Sequence, residues 1–417
     1  MSIQLRDYQT RIAMECFAKL QKYGICYLSM EVRTGKTLTS LSAAEFITNG
    51  RVLFLTKKKA ISSIEADYKD FGFKFNLTVI NNESMHKVEG DFDLIISDEH
   101  HRNGAYPKPN KGTKIIKEKY SHLPMIFLSG TPYPESYSQV YHQYWVSDRS
   151  PFKNYINFYK WAKDYVNVTQ QRRAGGFLAN DYSEGKKDKI IDAIKPTMIT
   201  YTQSEAGFKS EIKEKFLLVD MSSKTHSLIK RLKKDKVIVG STGNIVADTE
   251  LKLMQKVHQL ASGTCKLDTG KGVVIDNSKA IAIRDKFENN KIGIFYKFKA
   301  ELDCLVVTFG DNITQDLDEF NSTDKHIALQ IVSGREGISL RNADYIVYFN
   351  IDFSAISYWQ SRDRMTTMDR QHNEVYWVFS DVGIEKKIYK AVENKKDYTL
   401  SVFRRDNNIT YSQSSLF

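Results

Sequence analysis

Three short segments carry side chains suited to handling a phosphorylated ligand. Met30-Glu-Val-Arg-Thr-Gly-Lys-Thr37 follows an apolar strand-like run and precedes a helical pattern over 38–47, which is the setting of a phosphate loop. There the backbone amides at a helix N-terminus cradle phosphate oxygens, Lys36 reaches the terminal phosphates and the Thr37 hydroxyl ligates magnesium. Arg33, Thr34 and Gly35 form the turn between strand and helix. Met30 stands where the usual eight-residue pattern has its first glycine, so the match is incomplete, and Gly-Lys-Thr alone decides nothing.

Asp98-Glu99-His100-His101 closes a second apolar run, at the carboxyl end of a strand where α/β folds bind ligands. Asp98 is placed to hold magnesium and Glu99 to orient an attacking water, the division of labour in metal-assisted phosphoryl transfer. A zinc site built from the two histidines is the weaker alternative, because adjacent residues at a strand end point apart and no cysteine lies nearby. Leu128-Ser-Gly-Thr-Pro132 closes a third strand. With His101, its hydroxyls on Ser129 and Thr131 suit a switch that senses the magnesium site and relays its state. Alone it reads as a turn, but three strand ends bearing these motifs in this order are hard to obtain by chance.

The elements that must position these residues fall into two blocks. Short apolar runs at 25–30, 52–56, 77–80, 94–97 and 125–129 alternate with helical stretches, and a second set follows at 292–296, 304–308, 328–332, 345–350 and 375–379. Strands alternating with helices imply an α/β fold with parallel sheets. The expected division is a first lobe over 1–200 with a helical extension from 133, a connection and helical insertion over 201–275, and a second lobe over 276–417. The aromatic-rich stretch from Tyr133 to Trp161 fits core filling better than base stacking.

A chain of 417 residues with 41% hydrophobic content is long enough for two or three cores. Its 61 Lys and Arg against 50 Asp and Glu leave a net charge of +11, which favours a polyanionic partner. Cys16, Cys26, Cys265 and Cys304 form no Cys-x-x-Cys pair and sit in core-like segments, as in a reducing compartment. No run approaches the roughly 18 apolar residues of a membrane span, and the N-terminus lacks a secretion signal, so a cytoplasmic protein with no membrane partner is expected.

Together the motifs resemble those of superfamily II helicases and translocases, in particular the chromatin-remodeller-like (Swi/Snf-like) branch and its small bacterial and phage relatives. Leu5-Arg-Asp-Tyr-Gln9 looks like the adenine-recognising entry motif, with Gln9 reading the base. Phe54-Leu-Thr-Lys57 resembles the segment that grips the nucleic-acid backbone, which assigns Thr56 and Lys57 to the track, and Asn81-Asn-Glu-Ser84 resembles a further strand-contacting motif. Ser278-Lys279 and Ile294-Phe-Tyr-Lys297 resemble the opening of the second lobe. Ser333-Gly-Arg-Glu-Gly-Ile-Ser-Leu340 looks like the motif linking ATP to the track, with Arg335 on nucleic acid and Gly337 near nucleotide. Gln360-Ser-Arg-Asp-Arg364 matches the start of the arginine motif.

This resemblance implies two RecA-like lobes, ATP and Mg2+ as cofactors, and duplex DNA as a track ahead of single strands or RNA. Lys36, Glu99 and Arg364 are then the catalytic set, with Gln360 at the nucleotide. One departure stands out: the family's second arginine, seven residues after the glutamine, is Thr367 here. Arg370, three residues on and near the same helix face, is the candidate substitute, ahead of Arg362. The rival readings are an ATP-dependent switch with little hydrolysis, an RNA helicase, or the motor of a nuclease whose cutting site lies on another subunit. A helix over 383–392 and a polar tail follow the second lobe without a recruitment module. Recruitment by other replication or recombination proteins of a phage or bacterium is therefore expected.

Overall fold

The strands at 25–30, 51–56, 94–97 and 125–128 are buried on both faces, so they read as nearly unbroken apolar runs and assemble into a parallel sheet covered by helices. The computed structural model describes residues 4–172, 178–208, 211–331, 340–354, 357–358, 361 and 372–394. The chain divides into two compact units, Met1–Phe208 and Lys209–Phe417.

In the first unit β1 (Ile25–Met30), β2 (Arg51–Thr56), β3 (Asn76–Asn81), β4 (Leu94–Ser97), β5 (Met125–Leu128) and β8 (Met198–Tyr201) form one six-stranded sheet in the order β3-β2-β4-β5-β1-β8. Every described pairing in it is parallel. Helices α1 (Asp7–Tyr23), α2 (Lys36–Ile47), α3 (Ile61–Phe71), α4 (Lys111–Tyr120), α5 (Val140–Trp145), α6 (Phe158–Tyr165) and α7 (Lys187–Ile194) accompany it, with a hairpin of β6 (Thr169–Arg172) and β7 (Leu178–Asp181). Strand alternation splits the core. Cys26, Leu28, Phe54 and Ile96 face Ile12, Cys16 and Leu41 on one side, while Tyr27, Leu53, Ile95 and Phe127 face the other. On that second side Tyr141, Tyr144, Phe152, Phe158 and Trp161 are buried among them, so these aromatic side chains fill the core, as the sequence favoured.

In the second unit β9 (Glu211–Val219), β14 (Ile292–Tyr296), β15 (Ile313–Thr314), β16 (His326–Gln330), β17 (Tyr345–Tyr348) and β18 (His372–Ser380) form another parallel sheet, ordered β15-β16-β14-β17-β18-β9. Helices α8 (Ser223–Asp235), α9 (Glu250–Ala261), α10 (Ser278–Lys286), α11 (Lys299–Phe309) and α12 (Leu317–Ser322) belong to it, with pairs β10 (Val237–Ile238)/β11 (Ile245–Val246) and β12 (Thr264–Lys266)/β13 (Gly272–Val274). A last helix spans Glu385–Glu393.

Two features differ from the sequence reading. Residues 304–308, expected as a strand, lie in α11, with Cys304 and Leu305 buried and Val307 73% exposed. The Glu301 carboxylate accepts from the Lys297 and Phe298 amides and starts a helix that a short β-branched run disguises. The stretch 201–275, set apart as a connection and insertion, is divided between the units. β9 is an edge strand paired with β18, and α8 and α9 place Ile229, Leu232, Leu253 and Val257 in the second core.

Candidate functional site

Strand β1 ends at Met30 and α2 begins at Lys36, so the loop between them turns within five residues. Arg33 and Gly35 both take left-handed backbone angles, φ 65° and 79°. A side chain at the second position would be strained by its φ and would bring a Cβ within 2.0 Å of Gln9 Nε2, so Gln9 would have to shift. Met30 is fully buried in the core at the end of its strand, so a side chain at the loop's first position points away from the turn.

The Lys36 ammonium folds back to donate to the carbonyls of Met30 (2.8 Å) and Glu31 (3.1 Å). Gln9 receives the Arg6 amide at 2.9 Å and sits 3.5 Å from the Gly35 carbonyl, while the Tyr8 hydroxyl donates to the Thr34 carbonyl at 3.0 Å. The entry motif thus braces the loop. A brace that no motif announced comes from beyond β8: Gln203 donates its backbone amide to the Glu31 carboxylate at 2.7 Å and its side chain to the Val32 carbonyl at 2.9 Å, and Tyr201 stacks on Tyr8.

At the end of β4 the Asp98 carboxylate is fixed at both oxygens. Oδ1 accepts the Glu99 amide at 2.9 Å and Oδ2 accepts the Thr56 hydroxyl at 2.9 Å. Burial, then the charge of Glu99, push the Asp98 carboxyl up to about 6 against the pull of Thr56 and Lys36. Glu99 itself adopts φ 47°, left-handed and uncommon for glutamate, as strained backbone at reactive sites is. Thr56, expected on the nucleic-acid track, is 1% exposed with its hydroxyl on Asp98. Lys57 follows it just past the end of β2.

His101 Nδ1 lies 2.9 Å from Ser129 Oγ and 3.2 Å from Glu99 Oε2, and Ser129 Oγ accepts the Thr131 amide at 3.1 Å. The Thr131 hydroxyl is buried and makes no hydrogen bond among the described residues. His100 takes another direction: Nε2 donates to the Gln143 carbonyl at 2.8 Å, Nδ1 faces Ser97 Oγ at 2.8 Å, and the ring stacks on Phe127. Burial holds His100 down to about 3, so it is neutral. Each histidine therefore has its own partners, the opposite of a shared metal site. Gln143 on α5, which no motif announced, also accepts from Tyr27 and donates to the Pro132 carbonyl, both at 2.7 Å.

In the second unit, Lys279 forms a fully buried ion pair with Glu385 at 2.6 Å, and Lys297 at the end of β14 pairs with Asp352. Arg335, Gly337, Gln360, Arg362, Arg364, Thr367 and Arg370 lie outside the described residues.

No family model and no curated protein sequence matches the chain. Similar solved structures include the Hef helicase domain of Pyrococcus furiosus, 14% identical, covering 94% of this chain and 98% of that one at a TM-score of 0.50. Another is the SWI2/SNF2 ATPase core of Sulfolobus solfataricus in complex with double-stranded DNA, 15% identical over 98% of this chain and 96% of that one, with a TM-score of 0.43. At such identities the likeness shows the fold alone: two six-stranded parallel sheets accompanied by helices, shared with the Hef helicase domain. No described helix is long and apolar enough to cross a membrane.

Proposed function

We propose that this chain is an ATP-hydrolysing motor that moves along nucleic acid, with duplex DNA preferred to single strands and RNA. The observation that carries the reading is the meeting of a phosphate loop, a half-buried pair of adjoining carboxylates and a histidine link to the next strand end in one lobe. The fold and the net charge of +11 agree with it.

The donor set fits a nucleotide and its metal. Lys36 now satisfies its ammonium with two loop carbonyls, contacts it can exchange for phosphate oxygens. Asp98 and Glu99, two neighbouring acids, suit an added cation, which the Thr37 hydroxyl and Asp98 would hold. Bound magnesium supplies charge neutralisation on the phosphate oxygens. Glu99 orients the attacking water and accepts its proton, Gln9 and the turn 33–35 seat the nucleotide, and His101 passes the state of the carboxylates to Ser129 and Thr131. From the second lobe we assign Arg364 and Arg370 to the γ-phosphate, Gln360 and Gly337 to the nucleotide, and Arg335 with Lys57 to the phosphate backbone. Binding by such cations is largely sequence-independent and weakened by salt. We further propose action in replication, recombination or repair in a phage or bacterium, with recruitment by partner proteins.

The test is steady-state ATP turnover without nucleic acid and with duplex DNA, single-stranded DNA or RNA, for the wild type and Glu99→Gln. Duplex stimulation that Glu99→Gln lowers by about 10² to 10⁴ supports the motor. Strongest stimulation by RNA overturns the choice of track, and tight ATP binding with no stimulation by any nucleic acid leaves a nucleotide switch instead.

A further inference from the structure

Thr56 is the last residue of β2, and the neighbouring β4 runs parallel to it with Leu55 opposite Ser97. That register brings Asp98 beside the strand end, where its amide donates to the Leu55 carbonyl at 2.8 Å. The side chain follows: Thr56 Oγ1 donates to Asp98 Oδ2 at 2.9 Å, while the Glu99 amide occupies Oδ1 at the same distance. A carboxylate held at both oxygens cannot rotate freely, and a β-branched threonine on a central strand is stiff at χ1, so the donor is itself preorganised. At 1% exposure Thr56 offers no surface to a polyanion, whereas a track contact must reach phosphate oxygens outside the lobe.

We infer that Thr56 is a positioning residue for the metal-holding carboxylate of Asp98, and that it does not contact the track. The inference rests on the nucleotide site proposed above and deepens it: the end of β2 belongs to the metal site, and the nucleic-acid grip begins at Lys57.

Thr56→Val removes the hydroxyl at nearly constant volume, and Thr56→Ser keeps it. Mn2+ binding to the full chain with ADP present, followed by electron paramagnetic resonance, reads the metal site without turnover. Duplex binding at about 50 and about 200 mM salt reads the track. Thr56→Val is expected to weaken Mn2+ binding about tenfold, as loss of a hydrogen bond to a charged group does. Thr56→Ser stays near wild type, and neither changes duplex affinity or its salt dependence. Should Thr56→Val fold poorly by thermal melting, Thr56→Ala and Thr56→Ser give the same comparison. Unchanged Mn2+ binding with weakened duplex binding would return Thr56 to the track, and unchanged values for both would mean that it positions nothing. ADP-dependent Mn2+ binding that is missing in the wild type, or indifferent to Asp98→Ala, would instead overturn the site reading itself.

Discussion

His101 Nδ1 lies 2.9 Å from Ser129 Oγ, joining the end of β4 to the end of β5. The same nitrogen is 3.2 Å from Glu99 Oε2, so one imidazole nitrogen faces both the carboxylate proposed to handle the attacking water and the turn proposed to transmit its state. That nitrogen carries at most one proton, so the two oxygens compete for it.

Ser129→Ala therefore tests coupling rather than binding. Coupling free energies between sites commonly amount to about 5- to 150-fold, so duplex stimulation of ATP turnover should fall by a factor in that range while the affinity for ADP is retained. ADP affinity measured by fluorescence beside stimulated turnover decides it. A loss of affinity as large as the loss of stimulation would show that Ser129 only holds the site together.

The Lys279–Glu385 pair concerns stability. Both side chains are essentially inaccessible, the contact is 2.6 Å, and Lys279 also donates to the carbonyls of Phe349 and Val378. Removing one partner strands a buried charge, so Glu385→Leu alone should cost about 3–5 kcal/mol in urea unfolding. Lys279→Met combined with Glu385→Leu should recover most of that. A double variant as unstable as the single would mean that the carbonyl contacts, and not the charge balance, dominate.

That pair also shows where sequence reading stops. Ser278-Lys279 is legible as a motif and 383–392 as a helix, but the Lys279–Glu385 contact spans 106 residues, and only the fold brings the two together. The lobe-one strand ends were legible because buried parallel strands are unbroken apolar runs and their chemistry sits at their carboxyl ends. β9 is not, because the charged run Lys213-Glu214-Lys215 breaks its apolar pattern, which a strand at a sheet edge tolerates. Gln143 and Gln203 carry no signal at all, since a lone glutamine becomes informative only when its partners are known.

Acid should destabilise the first lobe through histidines that stay neutral when folded. Burial lowers His100 to about 3 and His142 to about 4, while each titrates near 6.5 in an unfolded chain. With the folded value depressed, the unfolded state takes up the proton first, so their effect is nil well above pH 6.5 and grows as pH falls below it, by up to about 1.4 kcal/mol per unit for each group. His142→Gln should remove one such contribution, making the drop in unfolding free energy between pH 7.5 and 5.5 about 1 kcal/mol smaller than in the wild type. An equal drop in both proteins would show that His142 titrates normally.

The last prediction concerns the arginine missing at position 367. An arginine that reaches a γ-phosphate contributes about 10³ to 10⁵ in rate, too much to lose without a visible defect. Arg370, three residues beyond Thr367 in the sequence, is the proposed substitute. If it supplies the charge, Arg370→Ala abolishes stimulated turnover and leaves ATP binding in place, and Thr367→Arg in the Arg370→Ala background restores a part of it. If Arg370→Ala leaves turnover intact while Thr367→Arg alone raises it by a hundredfold or so, the site works without a second arginine, and slow hydrolysis is the wild-type state.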